Sequence, residues 1–389
     1  MSRGSDQRQP VEEGGLTHRR VVVKVGTNLL TAGGAGLDGA EMSRIAVQIA
    51  ALRARGGEAI LVSSGAIEAG RERLRASDRG SDLPHDLHRD QVLAAVGQSR
   101  LMSLWDERLE AEGIISAQAL LTRADLADRL GYLNARNTLL ALLDLRVVPI
   151  VNENDVVSVE EIEHSVIGDN DNLSALVANL VDADLLLLLT DTAGLHTADP
   201  ATSAGAALIE TVEVIDESIE RAAAGAPGTR GKGGMRTKVE AARIATQYGA
   251  HVVIADGRAD DIVLRAAAGE PAGTHFLPAG DRIESRRRYL LSGLPVRGTI
   301  VVDEGAAGAL ERDGTSLLPV GAVRVSGNFG RGDVVRIEAT DGHHIANGIS
   351  NYGVADAAQL CGVRSDGIAA LLGHEYGEEL VHRNNLVLV

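Results

Sequence analysis

Residues 21–28 read Val21-Val22-Val23-Lys24-Val25-Gly26-Thr27-Asn28. Four valines around one lysine, ending in glycine and two small polar residues, describe a buried strand that stops at a turn. A strand apolar on both faces of its pleat must be covered on both, as in a parallel sheet between helices. The pattern returns at 59–62, 147–151, 185–189 and 252–255. Between these runs, residues 39–55, 90–112, 129–144, 172–181 and 235–248 read as helices. The alternation predicts an α/β fold with an open, mostly parallel sheet sandwiched by helices. Ligands in such sheets sit at the carboxyl ends of the strands, so the loops after strands are the candidate sites.

The pattern breaks at 278–296, which holds Pro278, Gly280, the basic run Arg286-Arg287-Arg288, Gly293 and Pro295. That stretch reads as a linker. Beyond it, 299–302, 320–326, 333–338 and 343–350 look like short strands between glycine-rich turns, with short helices at 356–361 and 365–372. The expected organisation is a flexible tail at 1–17, a large α/β domain at 18–277, the linker, a small mostly-β barrel domain at 297–380, and a C-terminal segment at 381–389.

Composition narrows the function. The 389 residues carry a formal charge of −16, and aromatic residues make up 2%. Neither suits a broad nucleic-acid surface or a row of base-stacking platforms. Cys361 is the single cysteine, which excludes a disulfide framework and any multi-cysteine zinc site. No apolar run approaches the ~20 residues of a membrane span, and the polar start lacks a signal core. The expected setting is cytoplasmic, with no membrane association. Only three of the 38 basic residues are lysine: Lys24, Lys232 and Lys238. Each lies in or beside a glycine-containing segment. A position that stays lysine in an arginine-rich chain suggests a need for a compact ammonium group rather than a planar fork.

Five segments carry candidate chemistry. Lys24 and Gly26 end the first strand, where a glycine turn and a cation suit a phosphate. Ser63-Ser64-Gly65 follows the second strand and offers hydroxyls and free N–H groups at a helix start. Asn152-Glu153-Asn154-Asp155 and Gly168-Asp169-Asn170-Asp171-Asn172 gather amides and carboxylates that suit an α-ammonium group, a metal ion, or both. Their spacing is not that of an EF-hand loop. Thr190-Asp191 after the most apolar strand can bond a ribose or a base. Gly231-Lys232-Gly233-Gly234-Met235-Arg236-Thr237-Lys238 runs a glycine-rich loop into a helix, as a phosphate cradle requires. It is not a P-loop, because Gly233 follows Lys232 where serine or threonine is needed.

In this order and placement the segments resemble the amino-acid kinase family, in particular its glutamate-phosphorylating members. The resemblance also rests on Ala94-Ala-Val-Gly97-Gln98-Ser99 and Leu121-Thr-Arg-Ala-Asp125. The C-terminal part resembles a PUA domain at Val302-Asp-Glu-Gly305-Ala306, Ser316-Leu-Leu-Pro319 and Val325-Ser-Gly-Asn328-Phe-Gly-Arg-Gly332.

The resemblance implies transfer of the γ-phosphoryl group of ATP to the side-chain carboxylate of L-glutamate, the first step towards proline. It implies Lys24, Lys238 and Asp171 as catalytic, and Ser64, Asp155 and Asn170 as glutamate-binding with Asn152 and Asp169 close by. Lys24, Thr190, Asp191 and the stretch Lys232, Gly233, Gly234, Met235, Arg236, Thr237 and Lys238 are implied for ATP. Mg²⁺ is expected mainly on the ATP phosphates, and no protein ligand for it is read. Proline is implied as feedback inhibitor, with a homo-oligomer and a glutamyl-phosphate reductase as partners. Lys232 and the acidic stretch 156–167 depart from the family pattern. The expected C-terminal domain carries 7 basic and 12 acidic residues over 295–389, which argues against RNA binding. The rival readings are a sister kinase acting on another carboxylate or phosphate, and a regulatory or RNA-binding protein without catalysis.

Overall fold

The computed structural model describes residues 15–31, 36–77, 88–157, 170–198, 200, 203, 205–224, 234–279 and 295–389. The chain forms two compact units, Met1–Gly280 and Asp281–Val389. The larger contains β1 (Arg20–Val25), α1 (Thr27–Thr31), α2 (Gly39–Ala54), β2 (Glu58–Ser63), α3 (Ala66–Ala76) and α4 (His88–Ala111). It continues through β3 (Ser116–Leu121), α5 (Arg123–Ala127), α6 (Arg129–Asp144), β4 (Val148–Glu153), α7 (Asn170–Leu180) and β5 (Leu185–Thr190). It ends with β6 (Thr211–Val212), α8 (Glu217–Ala224), α9 (Met235–Gln247), β7 (His251–Asp256), α10 (Ile262–Ala267) and β8 (Thr274–Phe276).

The strands form one sheet in the order β3-β4-β2-β1-β5-β7-β8-β6. Pairing is parallel from β3 to β7, and β8 runs antiparallel to β7. β1 is central, with β2 on one side and β5 on the other. The pleat sends Val21, Val23 and Val25 into one core with residues of α2, α4 and α10. Val22, Val62 and Leu188 enter a second core with residues of α6, α7 and α9. Lys24 is in register with Val62 and Leu188, so the two-residue period points it at the α7/α9 face.

Each of the five expected strands and five expected helices of this unit is present, within two residues at each end. β3 was not expected: none of its residues is buried and Gln118 is exposed, so it lacks the apolar run that marked the others. The β6 and β8 strands are too short for a periodic signal.

Two of the quoted motifs have a structural role. Thr122 and Asp125 form a capping box at the start of α5, each side chain bonding the other's backbone N–H. Gly70 of α3 and Gly97 of α4 lie where the two helices nearly touch. A β-carbon on Gly97 would overlap the Ala66 carbonyl, and one on Gly70 would overlap the Leu93 carbonyl.

The smaller unit contains β9 (Gly298–Val302), α11 (Glu304–Asp313), β10 (Ala322–Gly327), β11 (Val334–Ala339), β12 (His344–Ile349), α12 (Val354–Leu360), α13 (Ile368–Leu372) and β13 (Leu386–Leu388). Its five strands form a sheet in the order β10-β9-β11-β12-β13. β13 pairs antiparallel with β12, so the segment 381–389 joins this sheet rather than trailing from it. At the other end Thr17, expected in the tail, bonds the carbonyls of Ala267 and Ala268. Of the expected linker, 280–294 lies outside the described residues, as do residues 1–14 of the tail.

Candidate active site

Two side-chain clusters form at the carboxyl ends of the central strands. The first centres on Asp171, the second residue of α7, whose side chain is 0% exposed. Lys24 Nζ lies 2.5 Å from Asp171 Oδ1, and Lys238 Nζ lies 3.1 Å from Oδ2. Thr237 Oγ1 is 2.8 Å from the same Oδ2. Both lysines are buried, at 4% and 6% exposure. Burial by itself pushes the Asp171 carboxyl up. The charges of Lys24 and then Lys238, with hydrogen bonds from Lys24 and Thr237, outweigh it and hold the group well below the usual carboxylate range. Two ammonium groups and one carboxylate leave this trio with one net positive charge. Lys238 also lies in the first turn of α9, where the positive end of the helix dipole adds to it.

The second cluster is a line of amides. Gln98 Oε1 of α4 accepts from Asn152 Nδ2 at 2.7 Å. Asn152 Oδ1 accepts from Asn170 Nδ2 at 3.1 Å, and Ser64 Oγ accepts from the same nitrogen at 3.1 Å. Gln98 Nε2 and Asn170 Oδ1 end the line as buried polar atoms with no partner among the described residues. Such atoms are costly to bury alone, and together they present one donor and one acceptor to a polar ligand. Asn170 and Asp171 are successive residues, so the amide line and the charged trio share one wall.

The structure thus brings together Lys24, Asp171, Thr237 and Lys238, and separately Ser64, Asn152 and Asn170. Asp155 lies half-buried in the turn after β4. Thr190 ends β5, and Asp191 bonds both Thr190 Oγ1 and Asn28 Nδ2 at 3.2 Å. Gly234 caps α9, and Met235 opens it. Arg236 is exposed and lines a groove of ≈ 580 Å³ between α8 and α9, with Arg221, Glu240 and Arg243. Asp169, Lys232, Gly233 and residues 158–167 of the acidic stretch lie outside the described residues. Gln98 was quoted in a motif but not singled out, because nothing in the sequence says that α4 delivers it to Asn152. Among the described residues no group of three or more His, Cys, Asp or Glu side chains is arranged to hold a metal ion.

The amino acid kinase family model matches residues 19–256 of the larger unit. The chain belongs to that family, and the PUA domain model covers residues 298–372 of the smaller unit. Within the family it is a member of the glutamate 5-kinase group. The glutamate 5-kinase of Dehalococcoides mccartyi is 48% identical over 96% of this chain and 100% of its own. That of Vibrio vulnificus is 46% identical over 95% of this chain and 96% of its own, and that of Herpetosiphon aurantiacus 48% over 95% and 98%. An X-ray structure of isopentenyl phosphate kinase is similar at 20% identity and a TM-score of 0.45, over 66% of this chain and 99% of that one.

Proposed function

We propose that this protein transfers the γ-phosphoryl group of ATP to the side-chain carboxylate of L-glutamate, giving L-glutamyl 5-phosphate and ADP. The observation that carries the reading is the trio Lys24–Asp171–Lys238 at the carboxyl ends of the strands. A buried site with an excess of positive charge fits a polyanion, and two separate ammonium groups fit one that moves between donor and acceptor.

The glutamate carboxylate is already ionised near neutral pH, so the protein needs no strong general base. One carboxylate oxygen forms a bond to the γ-phosphorus while the bond from that phosphorus to the β,γ-bridging oxygen breaks. ADP leaves with the bond's electron pair. In a loose transition state most of the help comes from position and charge. Lys24 and Lys238 offset the negative charge on the transferring group. Asp171 holds both ammonium groups in place. Ser64, Asn152, Asn170, Asp155 and Asp169 hold glutamate, whose charged amino and carboxyl groups suit the amide line. Thr190, Asp191 and the loop from Lys232 to Lys238 hold ATP. Mg²⁺ carried by the phosphates of ATP would supply further charge neutralisation.

The reading extends to the first step of proline biosynthesis, with proline as feedback inhibitor, a homo-oligomeric enzyme, and a glutamyl-phosphate reductase to consume the labile acyl phosphate. The test is an acceptor screen with hydroxylamine trapping of the acyl phosphate, with and without proline. Glutamate is expected to be preferred over aspartate and N-acetylglutamate. Activity on another acceptor alone would overturn the reading.

A further inference from the structure

The chain has five tyrosines, two phenylalanines and one tryptophan. That tryptophan, Trp105 of α4, is fully buried in a core otherwise made of aliphatic residues and Met42. What the indole adds is a donor, which must find a partner when buried. Its Nε1–H donates to Ser63 Oγ at 2.8 Å.

Ser63 is the last residue of β2, and it too is fully buried. Its hydroxyl accepts from Trp105 and donates to the carbonyl of Ser64 at 2.9 Å, so its rotamer is fixed by two bonds. The N–H of Ser64 is held in turn by the carbonyl of Val25, at 3.1 Å. The next residue, Gly65, has φ +104°, a left-handed turn that aims the chain into α3. Ser64 therefore has both of its backbone polar groups held, one by β1 and one through Ser63 by Trp105. Its Oγ meets Asn170 Nδ2 at 3.1 Å. Gln98 and Trp105 are seven residues apart on α4, so they share a face. That single helix face bonds Asn152 with one side chain and Ser63 with the other.

We propose that Trp105 is a positioning residue for the glutamate site, acting through Ser63 to set the orientation of Ser64. The inference rests on the reading of Ser64 as a glutamate ligand. Trp105→Phe keeps the ring and removes the donor. It is expected to raise the KM for glutamate about tenfold, the size of one buried hydrogen bond, with the KM for ATP within about twofold. Ser63→Ala, which removes the relay atom, is expected to do the same, and stands in if Trp105→Phe does not fold.

The decisive measurement is the double variant. If Trp105 acts through Ser64, Trp105→Phe changes the glutamate KM by less than about twofold in a Ser64→Ala background. A merely structural tryptophan lowers the melting temperature and leaves the glutamate KM alone, and that result overturns the proposal. Independent, multiplying effects of the two substitutions also overturn it. If Ser64→Ala itself leaves the glutamate KM unchanged, the assignment of Ser64 falls, and this inference with it.

Discussion

Replacing Lys24 with alanine probes the charged trio most directly. The lysine is 4% exposed and makes the shorter of the two contacts to a carboxylate that is itself fully buried. Breaking a buried ion pair by removing one partner costs roughly 3–5 kcal/mol, because the remaining charge loses its compensation. Here Lys238 and Thr237 stay on Asp171, so the low end applies, about 3 kcal/mol. In a domain of this size that lowers the melting temperature by about 6–12 °C. The effect on catalysis is larger. Losing one neutral oxyanion donor costs about 10²–10³ in rate. A charge-assisted donor is roughly twice as strong in free energy, which squares the factor and puts the loss near 10⁴–10⁶. Acyl hydroxamate formation at saturating glutamate and ATP reads kcat, and a thermal melt confirms that the variant is folded below its transition. Lys24→Arg keeps the charge but not the compact head, and should lose about 10² or more. A folded Lys24→Ala enzyme that keeps a tenth of the wild-type kcat would falsify the assignment of this lysine to the transferring phosphoryl group.

Two further outcomes follow from particular contacts. His275 lies 2.9 Å from His251, ring nitrogen to ring nitrogen, and burial pushes its pKa down. A histidine whose folded pKa is depressed contributes stability that is complete above its unfolded pKa, about 6.5. That contribution is lost as pH falls through the lowered folded value. The melting temperature should therefore drop as the pH falls below about 6.5, and His275→Asn should make the drop shallower; an unchanged slope would show that the drop comes from other groups. Gly97→Ala forces α4 away from the Ala66 carbonyl. Overpacking of this kind costs about 1–3 kcal/mol, more than the gain in helix propensity. Because Gln98 is the next residue, the glutamate KM should rise along with the fall in melting temperature. A stable variant with unchanged KM would mean that the helix crossing does not set the amide line.

Much of the fold was legible because its central strands are apolar on both faces, and that pattern survives in sequence without any knowledge of partners. β3 was not legible for the converse reason: at the sheet edge it is half exposed and carries Ser116 and Gln118. α11 and β13 were missed in the small unit, where a helix rich in glycine and alanine and a three-residue strand carry little periodic signal. At the site, Lys24 and Lys238 stood out by residue type alone, as lysines in a chain that otherwise uses arginine. Gln98 and Trp105 did not, because their significance is a matter of what they touch.

The sequence by itself determined the alternation of strands and helices, the glycine turns at the strand ends, and the candidate polar residues that follow them. These are local properties, set by backbone period and turn chemistry. Only the tertiary structure decided that Lys24, Asp171 and Lys238 meet. The sheet order places β1 between β2 and β5, and the packing of α7 and α9 on one face of the sheet brings three distant segments onto one buried carboxylate. Its low proton affinity and the excess charge around it come from that meeting, since burial and neighbouring charges set a carboxyl's affinity for its proton and neither is written in residue order.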